Sequence, residues 1–204
     1  MYRCVRNYSI KLNTMKAVIQ NNQNRIHPHK LALWIGCGSV TMMFAAWSSA
    51  YVVRHAAGNW LEFQIPNQFF VNTVLLLISS VTLHLSYKSF VKGEESKYKM
   101  FLVLTFLIGI TFLILQYQAW LALKSIGVPL TKNPSGDFVY VMSGFHAAHL
   151  IGGLGVLTVA MVHGFMLKFN PTPRRQLRLE LTLHFWHYLD FLWLYLFIFL
   201  LSQS

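Results

Sequence analysis

Charged side chains are scarce in this sequence. Only 11% of its 204 residues are charged and only 6 are acidic, whereas about a quarter of the residues in a typical soluble domain carry a charge. Hydrophobic residues make up 55% of the chain, and the mean hydropathy is +0.45. This composition excludes an ordinary soluble domain and indicates an integral membrane protein.

Cysteine is also scarce. Cys4 lies in a polar tail and Cys37 lies in an apolar run, so we predict two free thiols rather than a disulfide framework. The sequence shows no nucleophile paired with a base, no glycine-rich phosphate loop and no redox cysteine pair. We therefore expect no catalytic residues in this chain.

The amino-terminal stretch lacks the apolar core of a signal peptide. Residues 1–30 are polar and free of acidic side chains, and we expect them to form a basic cytoplasmic arm. The same composition superficially resembles a transit peptide. A transit peptide would make the mitochondrial inner membrane one candidate location.

Long apolar runs are abundant. A run of about twenty residues is long enough to cross the hydrocarbon core as a helix. The sequence therefore predicts an all-α integral membrane bundle of five transmembrane helices, in which residues 31–204 form one domain. The five runs are residues 31–53, 69–90, 100–123, 138–166 and 181–201.

The net charge of +11 is distributed unevenly between the predicted loops. With five spans, all of the 17 lysines and arginines except Arg54, Lys124 and Lys132 lie on one side of the membrane. Cytoplasmic loops carry the excess of such residues, so we predict a cytoplasmic amino terminus and a periplasmic carboxyl terminus. These charges indicate contact with anionic lipid rather than nucleic acid. The candidate lipid headgroup contacts are Arg54, His55, Arg174 and Arg175.

Imidazoles and one carboxylate occur at helical spacing in the last two runs. His184, His187 and Asp190 are three residues apart, which places them along one face of a helix. Asp190 lies near the bilayer midplane, where an unpaired charge costs at least ~2.5 kcal/mol. We therefore expect a polar network between the last two helices. Its predicted members are His146, His149, Glu180, His184, His187 and Asp190.

The same side chains allow other interpretations. One imidazole from each of two facing helices would supply the axial ligands of a haem. A chain of histidines and a carboxylate would also serve as a proton relay. A small transporter with a midplane His/Asp site is a further alternative, although the sequence lacks the broken helices or repeats that such folds often show.

Small residues recur along the fourth run. Gly144, Ala148 and Gly152 are four residues apart, a spacing that lets another helix backbone approach closely. We expect this face to carry a helix–helix contact.

Two segments resemble a known family: Gly144–Gly153, GFHAAHLIGG, and Trp186–Trp193, WHYLDFLW. Both are similar to the most diagnostic segments of subunit III of haem-copper oxidases, the cytochrome c or quinol oxidase subunit 3 family. Glu180 also falls where the family has a glutamate. The resemblance extends from Leu31 to the carboxyl end, and the bacterial five-helix members resemble this chain best.

The resemblance implies an accessory subunit of a respiratory oxygen reductase in the bacterial inner membrane, with no haem or copper of its own. It implies that the chain packs on the catalytic subunit, which holds the haem and copper, and that it meets other oxidase subunits or a larger supercomplex. It also implies bound phospholipid and support of proton uptake and turnover stability. The alternative is a stand-alone membrane haem protein that uses the paired histidines of the last two helices.

Two positions depart from the family pattern. Val40 and Ala119 stand where many members have a glutamate or a similar polar group. We therefore expect no role that depends on those carboxylates. Any influence on proton uptake would act through packing or through surface groups such as His27, His29 and His163.

Overall fold

A computed structural model describes residues 28–58, 60–61, 63, 65–131, 133–166 and 172–203. These residues form five helices and no strand, and all five helices are long and apolar enough to cross a membrane. The predicted all-α bundle of five spans is therefore confirmed. The helices are α1 Pro28–Ala56, α2 Gln68–Lys92, α3 Glu95–Ser125, α4 Pro134–Met166 and α5 Pro173–Ser202. Most of the predicted arm, including Cys4 and His27, lies outside the described residues.

The helices extend beyond the apolar runs that predicted them. α4 begins at Pro134 rather than Phe138, and α5 begins at Pro173 rather than Leu181. Proline fits the first turn of a helix because its missing N–H has no partner to lose there. Residues 134–137, which precede the predicted run, are therefore helical. Apolar runs mark the length of helix within hydrocarbon, not the polar turns beyond it.

A tight turn joins α2 to α3. Gly93 ends α2 with φ 80°, a left-handed conformation that favours glycine, and its N–H donates to the carbonyls of Phe90 and Ser89. The Lys97 ammonium hydrogen-bonds the Glu94 carboxylate at 2.9 Å and holds the pKa of that carboxyl below its usual range. The two helices therefore run antiparallel from a charged turn, which we call the basic end.

The chain divides into two compact units, residues 1–35 and 36–204. Of the first unit the structure describes Pro28–Ile35, which is helical. In the second unit α2 packs on α3, α3 on α4, α4 on α5 and α5 on α2, so that four helices form a closed ring around one core. Gly109 of α3 and Gly153 of α4 leave room for Trp186, since a Cβ atom on either would lie 3.1 or 3.3 Å from that ring.

The part of α1 in the second unit contacts the ring through long side chains. Among the described helices, none has a Cα atom within 8 Å of a Cα atom of α1. Instead, Tyr51 makes edge contacts with Phe138 of α4 and Phe199 of α5, at centroid distances of 5.6 and 5.2 Å. The Tyr188 hydroxyl of α5 donates to the Cys37 carbonyl at 2.8 Å. Aromatic rings and hydroxyls therefore set the spacing between α1 and the ring.

Candidate functional site

One polar layer crosses the ring of four helices. The Asn72 amide nitrogen of α2 donates to the Gln116 amide oxygen of α3 at 2.9 Å. His146 of α4 is fully buried, with its ring centroid 4.9 Å from that of Trp193 and 5.8 Å from that of Phe112. Neither nitrogen of His146 has a hydrogen-bond partner among the described residues. His146 therefore packs as an aromatic ring between Phe112 of α3 and Trp193 of α5.

Indole N–H groups provide further links between neighbouring helices. Each donates to a hydroxyl on the adjacent helix, which satisfies a donor that hydrocarbon could not. Sequence reasoning missed these pairs, although matching residue depths on antiparallel helices would have suggested them. The pairs are Trp186 with Ser79 at 3.0 Å, Trp193 with Thr73 at 3.1 Å and Trp120 with Ser143 at 2.9 Å.

A second polar cluster lies between α5 and α2. Asp190 is 5% exposed, and its Oδ2 lies 4.0 Å from His187 Nδ1. The same nitrogen hydrogen-bonds the Ser80 hydroxyl of α2, and the His84 ring of α2 lies 6.1 Å from the His187 ring. Both carboxylate oxygens of Asp190 are enclosed, and the Ser80 hydroxyl that bonds to His187 also interacts with this carboxylate. The structure therefore brings two predicted network residues together and adds Ser80 and His84, which the prediction did not include.

The other predicted network histidines lie on different faces. His149 packs near Phe44 of α1 with ring centroids 6.3 Å apart, and its Nδ1 lies 2.7 Å from the Phe145 carbonyl oxygen. His184 is exposed, and its Nδ1 lies 2.7 Å from the Glu180 carbonyl oxygen. A wider network that joins these residues to His187 and Asp190 remains a prediction.

The geometry gives no support to haem ligation by these histidines. Among the described residues, no three side chains of His, Cys, Asp or Glu come together as a ligand set. A bis-histidine haem needs two imidazoles from facing helices. His146 lies level with Trp193, so His187 is about 9 Å further along α5. His149 is turned toward α1, not α5.

The small-residue face of α4 is only partly used within the chain. A Cβ atom on Gly144 would lie 3.8 Å from Trp120, which is ordinary contact. Ala148 is exposed, and a Cβ atom on Gly152 would meet nothing within 4 Å. The close approach inside the ring occurs one residue further, at Gly153. A helix contact along Gly144, Ala148 and Gly152 remains a prediction.

An open groove lies between α1 and α4, at the end opposite the basic end. Its volume is about 650 Å³, and its walls are mainly apolar. Arg54 lines it, and His55 lies beside the groove with its ring 5.0 Å from that of Trp60. The other two candidate headgroup contacts, Arg174 and Arg175, lie near the start of α5 at the basic end. The lining residues are Trp47, Ala50, Val53, Arg54, Ala57, Pro134, Asp137, Phe138 and Val141.

At the two positions that depart from the family pattern, the apolar side chain that is present packs against the core. Ala119 has no exposed surface within the core of the ring, and Val40 of α1 packs partly buried against the core. A carboxylate at Ala119 would therefore be enclosed by the bundle.

Five membrane spans and a ring of four helices linked by amide and indole hydrogen bonds define a polytopic helical membrane protein. The two segments that carry the family resemblance, Gly144–Gly153 and Trp186–Trp193, lie on α4 and α5. A family model described as Cytochrome c oxidase subunit III matches residues 40–203, and the chain belongs to this family.

Curated relatives agree with the family match. The chain is 31% identical to cytochrome c oxidase subunit 3 of Gallus gallus over 127 residues, which cover 62% of this chain and 47% of that protein. It is 29% identical to that of Allomyces macrogynus over 136 residues, or 67% of this chain and 47% of the relative. It is 30% identical to a probable cytochrome c oxidase subunit 3 of Mycobacterium tuberculosis over 171 residues, or 81% of this chain and 82% of the relative.

The chain thus spans about half the length of the bird and fungal relatives and most of the mycobacterial one. The predicted family resemblance is confirmed. Family membership and five membrane-spanning helices together identify a multi-pass inner-membrane protein.

Proposed function

We propose that this chain is an accessory subunit, without haem or copper of its own, of a respiratory haem-copper oxygen reductase. It packs on the catalytic subunit, which carries the metals, and its amino terminus faces the cytoplasm. The observation that carries the proposal is the family match over residues 40–203, which includes all four helices of the ring. The donor to the complex is cytochrome c or quinol.

The way the ring uses its polar groups supports a packing role. Hydrocarbon offers no hydrogen bonds, so polar side chains within spans stabilise helix association when they pair with each other. Asn72 with Gln116 and Trp186 with Ser79 are such pairs, and both join different helices. These pairs stabilise helix packing, and in this proposal the redox chemistry belongs to the catalytic subunit.

Phospholipid binding is the second part of the proposal, and the groove between α1 and α4 supports it. Acyl chains fit the apolar walls formed by side chains such as Trp47 and Phe138, while the Arg54 guanidinium pairs with a phosphate. Asp137 also lines the groove, but its carboxylate already accepts the Thr131 N–H at 2.6 Å. Arg54 is therefore the side chain that we assign to the headgroup.

Support of proton uptake and turnover stability is the third part. Val40 and Ala119 are apolar, so this support acts through packing on the catalytic subunit rather than through a carboxylate at either position. His163 lies in the last turn of α4 at the basic end, and its Nδ1 lies 2.9 Å from the Val159 carbonyl oxygen. In the proposed topology the His163 imidazole lies at the cytoplasmic surface, where protons are taken up.

The proposal is tested by affinity purification of the tagged chain from native membranes in mild detergent, followed by an optical spectrum and a subunit gel. We expect a haem spectrum and a large polytopic partner in the eluate. Harsher detergent should then release this chain without colour. A Soret band that stays with the isolated chain would contradict the proposal and favour the stand-alone haem protein.

A further inference from the structure

Two opposite charges line the groove between α1 and α4. Arg54 lies in the last turn of α1, and Asp137 lies in the first turn of α4. Both side chains line the groove, yet no ion pair joins them in the part of the chain that the structure describes. The groove therefore offers a cationic and an anionic group that do not neutralise each other by direct contact.

Both charges lie at the depth of lipid headgroups. The apolar run of α1 ends at Val53 and that of α4 begins at Phe138, so Arg54 and Asp137 are the first residues beyond the apolar runs. Trp47, which also lines the groove, is about 10 Å deeper along α1. The groove therefore has a charged rim at the edge of the hydrocarbon and apolar walls within it.

The Asp137 carboxylate is oriented by the backbone and keeps acceptor capacity. Its Oδ1 accepts the Thr131 N–H at 2.6 Å. A carboxylate has two oxygens with about four lone-pair sites, so this bond leaves Oδ2 able to accept other donors. Asp137 is half-buried. The rim therefore presents a fixed acceptor across the groove from the Arg54 guanidinium.

The size and the net charge of the groove limit what it binds. Its volume of about 650 Å³ lies within the range of roughly 300–1,000 Å³ that is typical of small-molecule sites. This is room for a headgroup and the first part of the acyl chains. Because the charges of Arg54 and Asp137 cancel, the rim complements a headgroup that carries one positive and one negative charge.

We propose that the groove selects phosphatidylethanolamine, with Arg54 on the phosphate and Asp137 on the primary ammonium. The inference rests on the proposed function, in which a phospholipid occupies this groove. An ammonium group has three N–H donors, and its hydrogen bonds to a carboxylate are charge-assisted. Phosphatidylcholine has a phosphate but no N–H on its amine. Phosphatidylglycerol has no amine, and its net negative charge meets the Asp137 carboxylate.

Lipid competition on the assembled complex tests the selectivity. The tagged complex is purified in mild detergent and incubated with vesicles that hold equal amounts of phosphatidylethanolamine, phosphatidylcholine and phosphatidylglycerol with identical acyl chains. Native mass spectrometry then measures the lipid that stays on this chain after its release from the complex. We expect phosphatidylethanolamine to exceed each competitor about fivefold, the equivalent of one hydrogen bond.

Variants of Asp137 separate selectivity from affinity. Asp137→Asn keeps the size of the side chain and an acceptor for the Thr131 N–H, and the preference should fall to about twofold because the bond to the ammonium is no longer charge-assisted. Asp137→Lys should make phosphatidylglycerol the most retained lipid. Arg54→Gln should lower all three lipids in equal proportion, since all three carry a phosphate. Glu95→Gln is the control, because Glu95 pairs with Lys99 at the basic end.

The haem spectrum and subunit content of each variant are recorded first, and if Asp137→Lys does not assemble, Asp137→Asn decides alone. Equal retention of the three lipids, or a preference for phosphatidylcholine or phosphatidylglycerol in the unaltered chain, would overturn the inference. So would a preference for phosphatidylethanolamine that is as large in Asp137→Asn as in Glu95→Gln. If Arg54→Gln lowers all three lipids without any selectivity, only this inference fails. Unchanged lipid in Arg54→Gln would instead refute the lipid part of the proposed function, and the selectivity would fall with it.

Discussion

Trp186 and Ser79 are joined by a hydrogen bond of 3.0 Å from the indole N–H of α5 to the hydroxyl of α2. Trp186 has no exposed surface, and its ring also lies against the positions of Gly109 in α3 and Gly153 in α4. One side chain thus contacts the other three helices of the ring. Its hydrogen bond fixes the ring orientation, and the two glycines provide the space.

Trp186→Phe should lower the stability of the bundle, because it removes the N–H and leaves Ser79 with one partner fewer. Hydrogen bonds between membrane helices are worth about 1 kcal/mol, and the smaller ring adds a packing loss. The measurement is thermal reactivity of buried Cys37 with a thiol dye, in a Cys4→Ser background. Tyr117→Phe, at a 59% exposed position, is the control and should show no shift. An equal midpoint for both variants would contradict this role of Trp186.

The neighbouring Gly152 and Gly153 of α4 should respond differently to the same substitution. A side chain at Gly153 meets Trp186 and Leu189 at 3.3 Å, whereas Gly152 is open. Gly153→Leu should therefore destabilise the chain by at least about 1–3 kcal/mol, as overpacking does, and Gly152→Leu should leave its thermal midpoint nearly unchanged. If Gly152→Leu nevertheless weakens subunit retention in the complex, the small-residue face carries a contact to a partner helix.

Asn72 and Gln116 should show energetic coupling. A double-mutant cycle with Asn72→Leu, Gln116→Leu and the pair measures their interaction without the separate costs of each substitution. We expect the losses of stability in the two single variants to sum to more than the loss in the double variant. The reason is that each single substitution leaves the other buried amide unpaired. The coupling should be about 1 kcal/mol in the same thiol-reactivity assay. Strict additivity would show that the 2.9 Å contact contributes nothing to stability.

Asp190→Asn should reduce assembly of the complex or its lifetime during turnover while leaving its haem spectrum unchanged. The substitution keeps the size of the side chain but removes the ionisable carboxyl group beside His187. The measurement is subunit content and activity decay during sustained turnover, with an optical spectrum of the complex that remains. Loss of one haem band at normal subunit content would show instead that Asp190 acts on a haem site.

Arg54→Gln should reduce the phospholipid that purifies with the complex. The guanidinium lines the apolar groove between α1 and α4, and glutamine keeps a polar side chain without the charge. Native mass spectrometry and lipid extraction measure the bound phospholipid. Lys124→Gln, in the last turn of α3, is the control. An unchanged lipid content in Arg54→Gln would rule out this headgroup contact.

The five spans were predictable because each is an apolar run with the length that hydrocarbon demands. The first turns of α4 and α5 were not, because Pro134 and Pro173 lie in polar sequence that carries no apolar signal. The cytoplasmic amino terminus, which the distribution of lysine and arginine indicates, remains a prediction because helix geometry alone does not orient the bundle in a membrane.

The candidate site was predictable only in part: His187 and Asp190 were predicted together, whereas Ser80 and His84 of α2 were not. Spacing shows that His187 and Asp190 share a face of α5, but it does not show which neighbouring helix that face meets. The sequence suggested α4 because its histidines lie at similar depth, whereas the contacts run to Ser80 and His84 of α2. Rotation of a helix about its axis is set by large side chains such as Trp186, whose position depends on the packing of all four helices.

The separation of α1 from the ring makes the groove beside it adjustable by single substitutions. Its distance from α4 is set by rings such as Trp47, whose centroid lies 4.4 Å from that of Phe145, and by Tyr51 against Phe138. Neither pair takes part in the backbone contacts that hold α2, α3, α4 and α5 together. Evolution can therefore widen or narrow the lipid-sized space between α1 and α4 one aromatic residue at a time, without redesigning the ring.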